Sequence, residues 1–121
     1  MIRFVSTYPP IMCGVGSYVK YLTTYLPDSR VISFDLSGYR CYGEKREENA
    51  VYFIDLNRLE ESARGISQFS DGLVWFQHSF GMWPENRKFV HLLRILREKK
   101  IASFHTVHSV SYTHLTLPTK A

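Results

Sequence analysis

Cysteine is scarce in this chain, with two residues, Cys13 and Cys41, in 121. Two thiols without a spacing partner form neither a disulfide framework nor a zinc-ligand pattern, which suggests a reducing cytoplasm. Long apolar runs are also missing. The opening Ile2-Arg3-Phe4-Val5-Ser6 is far too short for a signal segment or a membrane span, and a strand accounts for it better. There is no internal repeat and no low-complexity stretch. Nor is there a basic stripe. The net charge of +4 comes from 15 basic and 11 acidic residues that interleave, as in Glu44-Lys45-Arg46-Glu47-Glu48. Nucleic-acid binding needs clustered phosphate-neutralising charge, so it is not expected. Arg87, Lys88, Arg94, Arg97, Lys99 and Lys100 do share one segment. They read first as a solvated helix face, and second as a patch that an anionic lipid surface could attract.

What the chain does contain is enough for a core: 45% of its residues are hydrophobic and 15% aromatic. Strand-like runs alternate with segments of helical period, which predicts a parallel α/β sheet. The expected strands are Ile2–Ser6, Arg30–Phe34, Val51–Ile54, Leu73–Phe76 and Ile101–Phe104. A first helix carries Val15, Tyr18, Val19, Leu22 and Leu26 on one face, at the i, i+3, i+4, i+7 spacing of a buried stripe. A second is marked by Leu59, Ala63 and Ile66, weakened at Gly65 by about 1 kcal/mol relative to alanine. The third, Arg87–Lys99, puts Phe89, Leu92, Leu93 and Leu96 toward the core. Five strands with crossover helices make most of a Rossmann-like domain, in which ligands bind beyond the carboxyl ends of the strands. That edge should carry Thr7-Tyr8-Pro9-Pro10, Gln77-His78-Ser79-Phe80-Gly81 and His105-Thr106-Val107-His108.

The first loop ends in Cys13-Gly14-Val15-Gly16 at a helix start, where bare backbone N–H groups and the helix dipole favour an anion. A dinucleotide fingerprint would also use Gly14 and Gly16, with Asp35 at the ribose. However, Val19 occupies its third glycine position, and seven residues separate the first strand from Gly14 where a tight turn is wanted. A plain helix-capping loop is the remaining alternative. His78, His105 and His108 lack a cysteine or carboxylate at ligand spacing, so no metal site is expected. Cys13 has no adjacent base and reads as a packing residue.

Three segments together resemble the opening of GT-B-fold retaining glycosyltransferases, and within them the large family 4 group. The first is Thr7-Tyr8-Pro9-Pro10 through Cys13-Gly14-Val15-Gly16 into an amphipathic helix. The second is Val74-Trp75-Phe76-Gln77-His78-Ser79-Phe80-Gly81-Met82-Trp83, similar to a Gln-His-Glu-Phe-Gly-Ile-Trp segment of that group. Ser79 stands where those members often carry Glu, which puts an acidic role there in doubt. The third is Ala102-Ser103-Phe104-His105-Thr106, similar to a strand-ending Phe-His-Thr. These matches keep the family's order and span residues 1 to about 108.

The resemblance implies that Gly14 and Gly16 lie against the donor diphosphate or the acceptor, and that His105 sits beside the reacting sugar. It also implies that His78 shares the cleft and that Tyr8 and Trp83 offer apolar faces to the acceptor. The implied reaction moves a hexose from a nucleotide-diphosphate sugar, a co-substrate rather than a cofactor, to a hydroxyl on a glycan or lipid-linked acceptor, with retention. The family's second Rossmann-like domain, which holds most donor contacts, is not in this sequence. Residues 1–109 are therefore expected to be a partial amino-terminal domain, inactive alone, working in the cytoplasm or at the inner face of the membrane. Two other classes stay open: a dinucleotide-dependent oxidoreductase fragment, and a small non-catalytic phosphate-binding or interaction module. The last segment, Val110-Ser111-Tyr112-Thr113-His114-Leu115-Thr116-Leu117-Pro118-Thr119, matches the translation of a transposon-end sequencing adapter in one frame. Residues 110–121 are accordingly expected to be a non-native tail.

Overall fold

The computed structural model describes residues 2–70, 72–78 and 86–107. The expectations placed on Trp83, on His108 and on the tail 110–121 lie outside the described residues.

Five strands, β1 (Ile2–Val5), β2 (Ser29–Phe34), β3 (Ala50–Ile54), β4 (Leu73–His78) and β5 (Ala102–Val107), form one all-parallel sheet in the order β3-β2-β1-β4-β5. The helices are α1 (Gly14–Tyr25), α2 (Leu59–Phe69) and α3 (Asn86–Glu98), and a short 3-10 turn covers Leu36–Gly38. This is the Rossmann-like α/β architecture expected from the alternation of strand and helix patterns. No helix among the described residues is long and apolar enough to cross a membrane.

The alternation of side chains along the strands, broken in β3 by the register shift opposite Ser33/Phe34, sorts the core into two layers. Val5, Ile32, Ile54, Val74 and Phe76 face α2 and α3, where Ala63, Ile66, Leu92, Ile95 and Leu96 meet them. Phe4, Val31, Tyr52 and Trp75 face α1, where Val19, Leu22 and Leu26 close over Phe4 and Tyr8. Burying each large apolar side chain contributes roughly 1.5–3 kcal/mol relative to leaving it in water, and this two-sided burial is what a parallel sheet requires.

Several boundaries differ from the sequence reading, each for a local reason. β4 and β5 run on to His78 and Val107, because a rung-by-rung parallel register from Leu73↔Ala102 to His78↔Val107 holds their polar ends in the ladder. His105 is therefore not at a strand end but two residues inside one. Tyr18, expected on the buried stripe of α1, is 46% exposed; Val15, Val19 and Leu22 already fill that face, and Tyr18 lies with Tyr21 and Tyr25 on the outer side. α3 stops where Lys100 takes a left-handed backbone (φ 62°), its N–H bonding Arg97 O while Ile101 N–H bonds Leu96 O. That paired closure satisfies carbonyls the last turn would otherwise leave open.

Gly65 reverses its expected meaning. A β-carbon there would lie 2.7 Å from Cζ of Phe53, whose ring stacks on Phe69 at 5.7 Å. The glycine makes room for β3 to pack on α2. Gly65→Ala is thus expected to lower stability by about 1–2 kcal/mol through overpacking, against the gain of about 1 kcal/mol that helix propensity alone promises. Thermal denaturation decides it: a higher Tm would show that the Phe53 ring swings aside freely.

Candidate functional site

Strand order reverses between β1 and β4. The chain leaves β1 through α1 on one face to reach β2, whereas β4 connects to β5 through α3 on the other face. Doubly wound sheets open a crevice at this switch point, outside the carboxyl ends of the strands. Here those ends are Ser6, Thr7 and Gln77, all 1% exposed or less, and the crevice meets the first turn of α1.

The two glycines of that turn do different things. A β-carbon on Gly16 would sit 3.1 Å from Thr7 O and 3.2 Å from Tyr8 Cα, so Gly16 lets α1 press directly on the backbone leaving β1. Gly14 is exposed and a β-carbon there would meet nothing within 4 Å. It leaves open space at the start of the helix. Cys13 is the N-cap and makes no side-chain cap bond; the first helical bond runs from Ser17 N–H to Cys13 O at 3.0 Å. A helix start without a side-chain cap and with an open first residue is a place an anion can approach.

Sequence reasoning missed a set of small hydroxyls next to it. Ser6 continues the β1–β2 ladder, its N–H donating to Ile32 O at 3.1 Å, and Ser33 occupies the next rung of β2. By strand alternation Ser6 follows Phe4 and Ser33 follows Val31, on the α1 face of the sheet. Ser6 Oγ, Thr7 Oγ1 and Ser33 Oγ are buried and make no hydrogen bond among the described residues. Serine and threonine at a strand end look like ordinary loop chemistry in a sequence. Only their burial sets them apart, since an unbonded buried hydroxyl costs about 1–3 kcal/mol.

A second loop forms the outer rim of this edge. Met12 N–H bonds Arg40 O at 2.8 Å and Tyr42 N–H bonds Pro10 O at 2.8 Å, so an isolated antiparallel bridge joins Ile11 to Cys41. Met12 and Tyr42 are 44% and 69% exposed on that rim. Behind it, burial first, then Cys13 and Asp55, push the Tyr39 hydroxyl up to about 12, so it remains a neutral phenol across the physiological range.

Tyr8 is placed differently from what an acceptor-facing ring requires. It is 1% exposed and packed with Phe4 and Val19. Its hydroxyl lies 3.0 Å from Thr23 Oγ1 and 3.0 Å from Asn49 Nδ2. Tyr8 ties α1 to the strand edge and presents no open face. His78 closes the last rung of β4 opposite Val107 in β5.

His105 is held on the α3 side of the sheet. Its ring stacks on Phe76 (4.9 Å, 16°) and meets Phe89 of α3 edge-on (6.0 Å, 80°), while Nε2 lies 2.8 Å from Ser103 Oγ. Burial lowers its pKa, which favours the neutral imidazole at neutral pH. α1 and its glycines lie against the opposite face, so the structure does not bring His105 into contact with Gly14 or Gly16. No cluster of three or more histidine, cysteine, aspartate or glutamate side chains suited to a metal ion occurs among the described residues.

No family model, curated protein or solved structure matches the chain. What the site can do therefore rests on its geometry. It offers an uncapped helix start, buried hydroxyls at two adjacent strand ends, and an exposed Met12–Tyr42 rim. The uncapped helix start and its open first residue suit an anionic group.

Proposed function

We infer that the chain is the amino-terminal half of a nucleotide-sugar-dependent retaining glycosyltransferase, which moves a hexose to a hydroxyl acceptor only when a second, donor-holding domain closes over this edge. The observation that carries the reading is the start of α1 at the switch point, with Gly14 open to solvent and Gly16 seated on the Thr7 backbone. A nucleotide diphosphate has the charge for that helix start. The order of the Thr-Tyr-Pro-Pro, Gln-His and Phe-His-Thr segments supports the same reading. His105 and His78 are assigned to the sugar side of the cleft on that resemblance. The acceptor, a glycan or a lipid-linked sugar, meets the Met12–Tyr42 rim, in the cytoplasm or at the inner face of its membrane.

Catalysis in a two-domain cleft needs groups held from both sides, so the isolated chain is expected to turn over no nucleotide sugar. The test expresses this chain joined to the reading frame that follows it in its parent locus. The joined protein is assayed against a panel of nucleotide-diphosphate hexoses with anomeric analysis of product. Transfer with retention by the joined protein alone is the expected result. A joined protein inactive on every donor, or turnover by the 121-residue chain itself, overturns the reading. The dinucleotide alternative shares this strand order, and Asp35 does follow β2 directly, its carboxylate accepting from Ser37 Oγ. Saturable quenching of protein fluorescence on titration of the joined protein with NAD would favour it instead.

A further inference from the structure

Cys13 and Cys41 lie far apart in sequence and close together in the fold. Met12 N–H bonds Arg40 O and Tyr42 N–H bonds Pro10 O, each at 2.8 Å, which makes Ile11 and Cys41 a non-hydrogen-bonded antiparallel pair. The residues around that bridge alternate as strands do. Ile11, Cys13, Tyr39 and Cys41 are buried or half-buried and pack in one core cluster, whereas Met12, Arg40 and Tyr42 are exposed. Cys13 keeps an extended backbone (φ −153°, ψ 132°) before α1 begins. It is therefore the diagonal neighbour of Cys41 on the inner side of this short ribbon. Both thiols also meet the same tyrosine: Cys41 Sγ donates to Tyr39 O at 3.7 Å, and Cys13 acts electrostatically on the Tyr39 hydroxyl.

We propose that these two thiols are a reversible oxidation site, closing to an intramolecular disulfide that ties the 39–42 loop to the start of α1. Both thiols are free in the structure. Diagonal neighbours in an antiparallel pair stand about 7–8 Å apart, and a disulfide takes α-carbons about 4.4–6.8 Å apart, so closure asks the loop to move by roughly 1–3 Å. The loop has room for that. The Ile11–Cys41 bridge is isolated, and β-carbons added at Gly38 and Gly43 on either side would meet nothing within 4 Å. Cys13 and Cys41 are the two cysteines of the sequence, so each has one possible partner within the chain.

The oxidant is a low-molecular-weight disulfide such as oxidised glutathione. One protein thiolate attacks a sulfur of that disulfide, forming a mixed disulfide and expelling one small thiolate, which takes up a proton. The second protein thiolate attacks the protein sulfur of the mixed disulfide, forms the Cys13–Cys41 bond and expels the other small thiolate. The protein pair thus loses two electrons and its two thiol protons, and the small disulfide becomes two thiols. In a reducing compartment the pair stays open, and disulfides formed there are usually transient or redox-sensing. Cys13 is the N-cap of α1, and Met12 and Tyr42 form the exposed rim. The bond would therefore fix that rim against the helix start, at the carboxyl edge where doubly wound sheets take ligands. This does not depend on the glycosyltransferase reading.

The test equilibrates the full 121-residue chain, at low protein concentration, with graded mixtures of reduced and oxidised glutathione. Parallel samples are folded or held in denaturant, quenched with acid and mapped by mass after proteolysis. The expected product is a single chain with Cys13 joined to Cys41, reopened by dithiothreitol. Folding should favour its formation over that in denaturant by about tenfold or more, because the bridge brings the thiols together. By linkage, the oxidised chain should melt about 5 °C or more above the reduced chain. Cys13→Ser and Cys41→Ser should each abolish that rise. Thiols that stay free, stop as glutathione adducts or link only between chains overturn the proposal. So does a bond that forms no more readily in the folded chain than in denaturant, or an oxidised chain that melts no higher than the reduced one.

Discussion

Gly16→Val should lower the stability of the chain by about 3 kcal/mol, a Tm drop on the order of 10 °C or more for a domain of this size. The added atoms meet main chain, Thr7 O and C and Tyr8 Cα at 3.1–3.2 Å, so relief requires α1 to lift off the sheet edge. Lifting it would also loosen Val19 from Phe4. Gly14→Ala provides the contrast, since its β-carbon enters open space and Tm should change little. Thermal melts of the two variants side by side test the assignment. Equal effects would mean that Gly16 is no closer to the strand edge than Gly14. The pairing also matters for ligand studies: a binding defect in Gly16→Val mixes stability with contact, whereas one in Gly14→Ala reports on the ligand.

In the joined two-domain protein, His105→Ala should reduce kcat by roughly 10²–10³ with a smaller change in KM, as expected when one hydrogen bond to the sugar strengthens in the transition state. Phe76, Phe89 and Ser103 hold the imidazole in place, and burial lowers its pKa, which favours the neutral ring. A histidine that only packs against α3 gives the opposite pattern: a lower Tm with kcat of the folded fraction nearly intact. Measuring both on the same preparation separates them. Near-normal turnover would remove His105 from the site.

Much of this fold was legible because its strands and helices differ in period, and two-sided burial leaves mostly apolar runs such as Val31-Ile32-Ser33-Phe34. Hydropathy could not say which tyrosines were inside. Tyr8 is buried and Thr23 and Asn49 bond its hydroxyl, while Tyr18, Tyr21 and Tyr25 lie exposed on the outer side of α1. Strand ends were missed where polar residues pair: Gln77 is 1% exposed, and Thr106 accepts from Trp75 Nε1 at 2.8 Å. For the site, the glycine signal was visible, but the division of labour between Gly14 and Gly16 was not. It depends on which β-carbon position faces the Thr7 backbone. The three buried hydroxyls carried no signal, since nothing in Ser6, Thr7 or Ser33 announces that a helix start closes over them.

The position of β1 in the sheet also has a consequence for how the protein is made. β1 pairs with β2 early in the chain, yet its other neighbour, β4, begins only at Leu73. On a ribosome the β1–β2–β3 half with α1 can assemble first, with β1 still open along its β4 side. Until β4 arrives, Phe4 and Val5 sit at a raw edge, and any extended apolar segment can compete for it. Long-range parallel pairing of this kind is slow to close. The β1–β4 seam at the switch point is thus the joint of the sheet's centre whose second strand is synthesised later, and an extended apolar peptide added during synthesis should divert the chain there.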